Sequence, residues 1–307
     1  MTKLYIAGHS GFLGSAILKI FREKEKKFKF LLTSRKELDL RDSNKVNKWF
    51  KLNKPNYVIV AAAVAGGIMD NIKNPVKYIL DNILIQTNII NSSHRHNVKK
   101  LIFIGSSCVY PKFTKIPIKE TSLLTAQLEP TNQWYAISKI HGIKLCEAIN
   151  IQHKKHFFSV MPTNLYGPND KYDERSHVIA ALIKKFHDAK INKKKKVVVW
   201  GTGKPKREFL YVDDCGCAIY KIFKSRGSHK LINIGTGKDI SIYKLAFLIK
   251  KVVGFKGNIV FDRRKPDGVK IKTLDISLIK KTGWKPKIDL EEGLKKTYEN
   301  YKTLKIH

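Results

Sequence analysis

The N-terminal stretch constrains the fold more than any other part of the chain, because glycines separate an apolar run from an amphipathic one. Leu4-Tyr5-Ile6-Ala7 has the character of a short strand, and an amphipathic helix follows through about Glu25. Glycines at positions 8, 11 and 14 permit a tight turn, a close approach to a pyrophosphate and close packing of helix on strand. The helix N-terminus would then face the phosphates. The predicted dinucleotide-binding turn consists of Gly8, His9, Ser10, Gly11, Phe12, Leu13 and Gly14.

Further apolar runs at 28–33, 57–61, 101–104 and 157–160 alternate with helical patterns, of which a long one covers about 75–94. This alternation predicts a right-handed, doubly wound parallel sheet, which is an α/β fold of the Rossmann type. After about residue 168 the pattern breaks into shorter pieces, which indicates a smaller α/β cap domain. We therefore expect a dinucleotide-binding domain over 1–168, to which some later segments return, and a substrate-binding C-terminal domain over 169–307.

The residues after the second predicted strand bear on which dinucleotide is bound. An Asp or Glu here suits the ribose diol of NAD, whereas an Arg suits the 2′-phosphate of NADP. Arg35 therefore predicts NADP(H), although an exposed Arg in a lysine-rich loop would give the same sequence. Asp39 and Leu40 follow and could line the adenine. Further candidates for contact with the dinucleotide stand at predicted strand ends: Ala62, Ala63, Ile104, Gly105, Ser106, Ser107, Pro162, Thr163, Asn164 and Leu165.

Tyr135 and Lys139 lie four residues apart in a helical pattern, so they share one face of the predicted helix. A phenol beside a cation is a candidate proton donor, since a nearby ammonium favours the phenolate and lowers the pKa of tyrosine. Such a group can exchange a proton with a carbinol oxygen during hydride transfer. The spacing alone is a weak signal, because other pairs such as Tyr220/Lys224 share it. The glycine turn and the serine-rich strand end upstream strengthen the interpretation of Tyr135 and Lys139 as a catalytic pair.

The charge of the chain is strongly basic, with a formal net charge of +35 from 60 Lys and Arg against 25 Asp and Glu. Such an excess can mark a nucleic-acid-binding protein. The lysines are spread over the whole chain, however, and the longest run, at 193–196, contains no aromatic residue for base stacking. We therefore expect a compositional bias, with modest steering of anionic substrates, and no specific nucleic-acid partner.

Membrane and metal partners are not expected either. No apolar run approaches the roughly 18 residues of a membrane span. Thr2-Lys3 leads directly into the first strand, without the pattern of a signal peptide. The four cysteines show no metal-ligand spacing, and their usage suits a reducing, cytoplasmic setting.

The glycine turn, Ser106 and the Tyr135/Lys139 pair together resemble the extended short-chain dehydrogenase/reductase superfamily. Longer stretches are similar to one branch of it, the GDP-L-fucose synthase family, and this resemblance covers nearly the whole chain. These stretches are Gly105-Ser-Ser-Cys-Val-Tyr-Pro111, Leu128-Glu-Pro-Thr-Asn132, Tyr135-Ala-Ile-Ser-Lys-Ile140, Met161-Pro-Thr-Asn-Leu-Tyr-Gly-Pro168, Ser176-His-Val-Ile179, Val198-Val-Trp-Gly201, Arg207-Glu-Phe-Leu210 and Lys265-Pro-Asp-Gly268. The resemblance implies NADPH-dependent 3,5-epimerisation and 4-reduction of GDP-4-keto-6-deoxy-D-mannose to GDP-L-fucose.

The resemblance also implies roles for single residues. The implied roles are a reductase triad of Ser106, Tyr135 and Lys139, an epimerisation pair of Cys108 and His177, and GDP-sugar contacts from Lys185, Trp200, Arg207 and Asp267. Tyr135, Lys139 and His177 are further implied in dinucleotide contact, with Lys139 at the nicotinamide ribose. Ser10 departs from the pattern, because many relatives carry an Arg there that touches the 2′-phosphate. Apart from the resemblance, Cys108 could be an inert core thiol and His177 an ordinary helix-start residue.

Three further questions stay open at the level of sequence. The same chemistry could act on another GDP-4-keto sugar, in a GDP-colitose or GDP-6-deoxy-heptose pathway. The fold could instead serve a non-catalytic NADP-binding regulator. Relatives are homodimers through two long helices, here about 75–94 and 133–150, but the apolar side chains there fit burial within a monomer equally well.

Overall fold

The computed structural model describes residues 1–173, 176–225, 227, 230–265 and 267–304. The strands are β1 (Lys3–Ala7), β2 (Lys29–Leu31), β3 (Tyr57–Val60), β4 (Lys100–Ile104), β5 (Phe157–Pro162), β6 (Asn164–Tyr166), β7 (Lys196–Trp200), β8 (Lys206–Tyr211), β9 (Leu231–Ile234), β10 (Asp239–Ser241), β11 (Asn258–Asp262) and β12 (Ile271–Lys272). The helices are α1 (Phe12–Lys24), α2 (Ser43–Asn53), α3 (Ile68–Lys73), α4 (Pro75–Arg95), α5 (Gln133–His153), α6 (Val178–Ile191), α7 (Val212–Lys224), α8 (Ile242–Val253), α9 (Ser277–Lys280) and α10 (Leu290–Leu304).

The main sheet is parallel and has six strands in the order β2-β1-β3-β4-β5-β9. Tyr5 in β1 pairs with Leu31 on one side and with Val58 on the other. Since β2 and β3 lie on opposite sides of β1, the sheet is doubly wound, and a crevice for ligands opens at the carboxyl ends of β1 and β3. The predicted fold class is confirmed.

Two smaller sheets lie outside the main one. β8 pairs with β10 in antiparallel fashion and with β6 and β12 in parallel, while β7 and β11 form a separate parallel pair. Side chains along β7 alternate, with Val197 and Val199 buried and Val198 and Trp200 exposed. This alternation, which follows from the pleat of a strand, turns the indole of Trp200 outward.

The side chain of Glu208 connects β8 to two other backbone segments by hydrogen bonds. Its fully buried carboxylate accepts the backbone N–H of Gly237 at 2.7 Å and that of Leu274 at 2.8 Å. Burial raises the pKa of this carboxyl, and these N–H groups oppose that shift. Arg207, the neighbour of Glu208 on β8, is thereby held at a fixed place between the sheets.

The apolar side chains form two cores. The larger one surrounds the main sheet and includes Ile59, Phe103 and Ile219, whereas the smaller one includes Phe186 and Leu245. The smaller core draws on strands and helices from β6 onward, but β9 belongs to the main sheet, so the domain boundary at 168 stays a prediction. None of the described helices is both long and apolar enough to cross a bilayer.

Candidate active site

The glycine turn lies between β1 and α1, at the carboxyl edge of the main sheet. Gly8 has a φ of +83°, and a Cβ there would lie 2.6 Å from the backbone nitrogen of Ala62. A Cβ at Gly14 would collide with the carbonyl oxygen of Gly8. The N–H of Gly11 donates to the same carbonyl at 3.0 Å and closes the turn. Side chains are therefore excluded at positions 8 and 14 by the backbone itself.

The N-terminus of α1 is open toward this turn. Within the described part of the chain no side chain caps the helix at Gly11, which leaves its first N–H groups available. The buried Nδ1 of His9 likewise has no hydrogen-bond partner among the described residues. Unpaired N–H groups at a helix start, together with the helix dipole, favour a phosphate. The turn therefore fits the pyrophosphate of a dinucleotide.

Strand ends bring other predicted dinucleotide residues to the same edge. They are Ala62 and Ala63 after β3, Ile104, Gly105, Ser106 and Ser107 at the end of β4, and Pro162, Thr163, Asn164 and Leu165 at the end of β5 and in β6. Thr163 Oγ1 and Asn164 Nδ2 both donate to the carbonyl oxygen of Glu208, at 3.2 and 2.9 Å. These two side chains thus join the main sheet to β8, where the predicted substrate residue Arg207 stands.

The loop after β2 carries the residues predicted to meet the adenosine half of the dinucleotide. Arg35 is exposed, as is Ser10 in the glycine turn. The carbonyl oxygen of Leu40 accepts from Asn88 Nδ2 at 3.0 Å, which fixes this part of the loop to α4. The Asp39 carboxylate is bound by Arg41, with Oδ2 2.7 Å from Nη2.

The predicted reductase residues meet where β4 ends and α5 begins. Lys139 is buried, and its Nζ donates to the carbonyl oxygen of Ile104 at 2.8 Å. The same Nζ lies 5.7 Å from the centre of the Tyr135 ring. Ser106 Oγ, on the segment that follows Ile104, accepts from the N–H of Cys108 at 3.2 Å. The structure thus brings Ser106, Tyr135, Lys139 and Cys108 together.

Burial changes the protonation of this group in a way that the spacing of Tyr135 and Lys139 did not predict. Burial raises the pKa of the Tyr135 phenol, and the nearby Cys108 thiol, when charged, adds to the increase. Burial also lowers the pKa of Lys139 to about 7. Burial therefore dominates the pKa of Tyr135 in this structure, and the lowering of that pKa by Lys139 stays a prediction.

The thiol of Cys108 is partly exposed and lies beside a polar side chain. Asn132 Nδ2 lies 3.4 Å from Cys108 Sγ in donor geometry. The Oδ1 of the same amide is buried, and no partner for it exists among the described residues. The amide of Asn132 thus contacts the sulfur directly and can fix the position of the Cys108 side chain.

Two cations lie near this thiol, and only one of them was predicted. Burial lowers the pKa values of Arg207 and Lys272, and the charge of Cys108 opposes the shift in both cases, as does that of Glu129. Lys272 and Arg207 are direct partners in the parallel pairing of β12 and β8. Lys272 carried no recognisable signal in so lysine-rich a chain, whereas Asn132 and Glu129 stood inside one of the family-like stretches.

His177 is placed on the cap side of the site. It directly precedes α6, its side chain is about half exposed, and its Nδ1 lies 3.9 Å from Oδ1 of the buried Asp170. Sequence reasoning missed Asp170, which no motif marked. The contact described for His177 is with Asp170 rather than with Cys108, so its pairing with that thiol stays a prediction.

Trp200 presents an accessible aromatic face near two cations. Its side chain is 54% exposed, unusually so for a tryptophan. Lys185 Nζ lies 5.2 Å from the ring centre, and Lys265 Nζ lies 5.5 Å from it. An exposed indole with ammonium groups beside it suits a flat base that carries phosphates.

Asp267 has a structural role in addition to its predicted one. Its carboxylate accepts the N–H of Thr202 at 2.9 Å and the hydroxyl of Thr202 at 2.6 Å. Asp267 thus ties its own loop to the segment after β7. The guanidinium of Arg207 donates to the carbonyl oxygens of Lys206, at 2.8 Å, and Val269. The loop around residues 267–269 therefore connects Arg207 to the Trp200 region.

Comparison with known proteins places the chain among enzymes of one kind. The sequence model of the NAD dependent epimerase/dehydratase family matches residues 4–235. GDP-L-fucose synthase 1 of Arabidopsis thaliana is 49% identical over 97% of this chain and 93% of its own. A GDP-6-OMe-4-keto-L-xylo-heptose reductase from C. jejuni has a similar structure, with a TM-score of 0.91, 37% identity and coverage of 99% of this chain and 98% of that one. A GDP-L-fucose synthetase from Naegleria fowleri, solved with NADP bound, gives a TM-score of 0.90 at 30% identity, covering 99% of this chain and 95% of the other.

Proposed function

We propose a function from the premise that the chain belongs to the NAD dependent epimerase/dehydratase family and, within it, to the GDP-L-fucose synthase family. The chain is an enzyme that converts GDP-4-keto-6-deoxy-D-mannose to GDP-L-fucose, by epimerisation at C3 and C5 and reduction at C4 with NADPH. The observation that supports this most is the grouping of Ser106, Cys108, Tyr135 and Lys139 at the end of β4. A proton donor for reduction and a thiol for epimerisation thus share one place.

Epimerisation needs a base, an acid and a stabiliser of negative charge. The 4-ketone acidifies the protons at C3 and C5, and inversion requires removal from one face and return on the other. Cys108, with Asn132 as donor to its sulfur, and His177, beside Asp170, are of the right chemical types for these two tasks. The hydroxyls of Ser106 and Tyr135 donate to the oxygen on which charge develops.

Reduction uses the same centre. The glycine turn and the strand ends would hold NADPH, which when bound would supply a hydride for C4. The raised pKa of Tyr135 keeps the phenol protonated, which is the form needed to deliver a proton to the C4 oxygen. Lys139, whose Nζ is anchored on the carbonyl of Ile104 and lies 5.7 Å from the centre of the Tyr135 ring, would hold the nicotinamide ribose.

The cap supplies groups for the GDP part of the substrate. Arg207 and Lys272, paired across β8 and β12, are cations near Cys108 and suit the diphosphate. Trp200 offers an exposed indole for the guanine, and Lys185 lies beside it. These features support a GDP-sugar as the substrate class.

A GDP-4-keto-heptose is a second candidate substrate. It is favoured by the similarity to the C. jejuni heptose reductase, whose structure matches at a TM-score of 0.91. The grouping at β4 fits either sugar, since both carry a 4-ketone. A non-catalytic regulator is disfavoured, because a binding module has no need of a buried proton donor next to a thiol.

A homodimer in the cytoplasm is the assembly and location we propose. Val76, Leu80 and Leu84, at four-residue spacing on α4, form an exposed apolar stripe with exposures of 68%, 51% and 36%. Such a stripe supports an interface between copies. All four cysteines are free, which supports a reducing compartment.

The experiment that tests the activity compares the wild type with Tyr135→Phe. We expect the wild type to oxidise NADPH when supplied with GDP-4-keto-6-deoxy-D-mannose, and the variant to be slower by about a hundredfold or more. NADPH binding, measured by calorimetry, should stay within about twofold, because the ring and its packing are retained. Undiminished turnover in the variant would refute the assignment of Tyr135.

A further inference from the structure

The loop between β2 and α2 carries Glu37 and Asp39 within four positions of Arg35, and both carboxylates already accept hydrogen bonds. Glu37 Oε2 accepts the backbone N–H of Ser34 at 2.6 Å, and the N–H of Glu37 donates to Ser34 Oγ at 3.3 Å. This reciprocal pair closes the turn that displays Arg35. The second carboxylate, that of Asp39, is held more completely.

Arg41 occupies the acceptor positions of Asp39. Asp39 Oδ1 accepts the backbone N–H of Arg41 at 3.0 Å and its Nε at 3.0 Å, and Oδ2 accepts Nη2 at 2.7 Å. An ionised carboxylate has about four lone-pair positions, so three of them are used here by one residue. The Asp39 carboxylate therefore has little capacity left to accept a hydrogen bond from a ribose hydroxyl.

A carboxylate from α4 also binds Arg41. Asp81, on α4, places both carboxylate oxygens 3.4 Å from Arg41 Nη1, and only 17% of its side chain is exposed. The next residue, Asn82, binds both the N–H and the carbonyl of Val64 after β3, at 2.8 and 3.0 Å. The guanidinium of Arg41 is thus fixed between the β2–α2 loop and α4. The same helix also holds the segment after β3, which lies beside the glycine turn.

The charges here act on one another. Arg41 lowers the pKa of Asp39 well below its usual range, and Arg35 contributes a smaller part in the same direction, so Arg35 and Asp39 lie within electrostatic reach. A free carboxylate at such a place would attract a ribose diol and repel a 2′-phosphate. The exposed guanidinium of Arg35 would attract a 2′-phosphate instead.

We propose that Arg41 determines dinucleotide specificity: by holding Asp39 it withholds that carboxylate from the ribose and leaves Arg35 to bind a 2′-phosphate. Arg41 is a positioning residue that acts through Asp39 and Arg35. The inference rests on the proposed use of NADPH and adds the residue group that sets the choice against NADH.

The test measures binding of two fragments, so that no chemistry is required. Dissociation constants for 2′,5′-ADP and 5′-AMP are determined by calorimetry for the wild type, Arg41→Leu, and Arg41→Leu combined with Asp39→Asn. We expect the wild type to prefer 2′,5′-ADP and Arg41→Leu to lose about tenfold of that preference, as for unit charges a few ångströms apart near a surface. The added Asp39→Asn should restore most of it.

Two more variants make the result specific. Arg22→Leu removes the same charge from the last turn of α1, at the far end of the helix from the glycine turn, and should leave the preference unchanged. Asp81→Asn weakens the hold on Arg41 without removing it, and should reduce the preference by a smaller factor. If Arg41→Leu does not fold, the Asp81→Asn variant still tests the inference.

Several outcomes would overturn the inference. They are an unchanged preference in folded Arg41→Leu, an equal loss in Arg22→Leu, and no recovery when Asp39→Asn is added. A wild type that binds neither fragment would instead contradict the proposed dinucleotide function, and with it this inference. If every variant prefers 2′,5′-ADP as strongly as the wild type does, the proposed dinucleotide function remains intact. Only the role of Arg41 is then removed.

Discussion

Tyr135 and Lys139 lie one helical turn apart, and the protein around them disfavours the charged form of both. The phenol has a raised pKa and the ammonium a pKa of about 7, in each case chiefly through burial. The spacing in the sequence indicated which residues would meet, because it depends only on helix geometry. It could not indicate the direction of the pKa shifts, because these depend on neighbours from β4 that are remote in the sequence.

The lowered pKa of Lys139 predicts that its contribution to stability depends on pH. Between about pH 7 and 10.5 an unfolded lysine retains its proton while the folded one has released it, so raising the pH favours the folded state. We expect the free energy of unfolding of the wild type, relative to Lys139→Met, to rise by about 3 kcal/mol between pH 7 and 9.5. Urea denaturation of both proteins at the two pH values measures this. A constant difference would show that Lys139 keeps an ordinary pKa in the folded protein.

Among the elements of the fold, the β1–α1 unit was the most predictable and the short strands the least. The glycines at 8, 11 and 14 meet demands that are local, namely a left-handed φ and close contact of backbone with backbone. β12, by contrast, has two residues and owes its place to pairing with β8, about 65 positions earlier in the chain. The position of Lys272 beside Arg207 was hidden for that reason. Asn132 was accessible to sequence reasoning only through its family-like stretch.

The backbone contact at Gly14 predicts a strong effect of one added methyl group. A Cβ in Gly14→Ala would meet the carbonyl oxygen of Gly8, so the turn must open. We expect a loss of about 1–3 kcal/mol in unfolding free energy and at least about tenfold weaker NADPH binding. Gly227→Ala is the matched control, because among the described residues its Cβ would meet only Ser225 Oγ, at 3.9 Å. Equal behaviour of the two variants would contradict the proposed pyrophosphate site.

For the whole molecule, the sequence predicted the doubly wound sheet because alternating strands and helices leave few other topologies. The arrangement of the smaller sheets was not predictable, since their strands are short and pair out of order. Assembly also belongs to this scale. The stripe on α4 is exposed within one chain, so burial in the monomer does not account for those side chains.

The exposed stripe predicts that a charge at its centre changes the oligomeric state. Leu80→Lys would place an ammonium in the proposed apolar interface, at a cost of several kcal/mol. We expect a dimer of the wild type and a folded monomer of the variant in light scattering. Leu52→Lys, at a residue 70% exposed on α2, serves as the control and should remain a dimer. A monomeric wild type would contradict the proposed assembly.

The most direct test of the proposed activity is the NMR spectrum of the product formed in D₂O from GDP-4-keto-6-deoxy-D-mannose and NADPH. The proposed mechanism predicts GDP-L-fucose with deuterium at both C3 and C5, since each centre exchanges a proton with the protein before C4 is reduced. A product reduced at C4 that retains the original configuration and protium at C3 and C5 would contradict it, because the group around Cys108 would then perform no epimerisation.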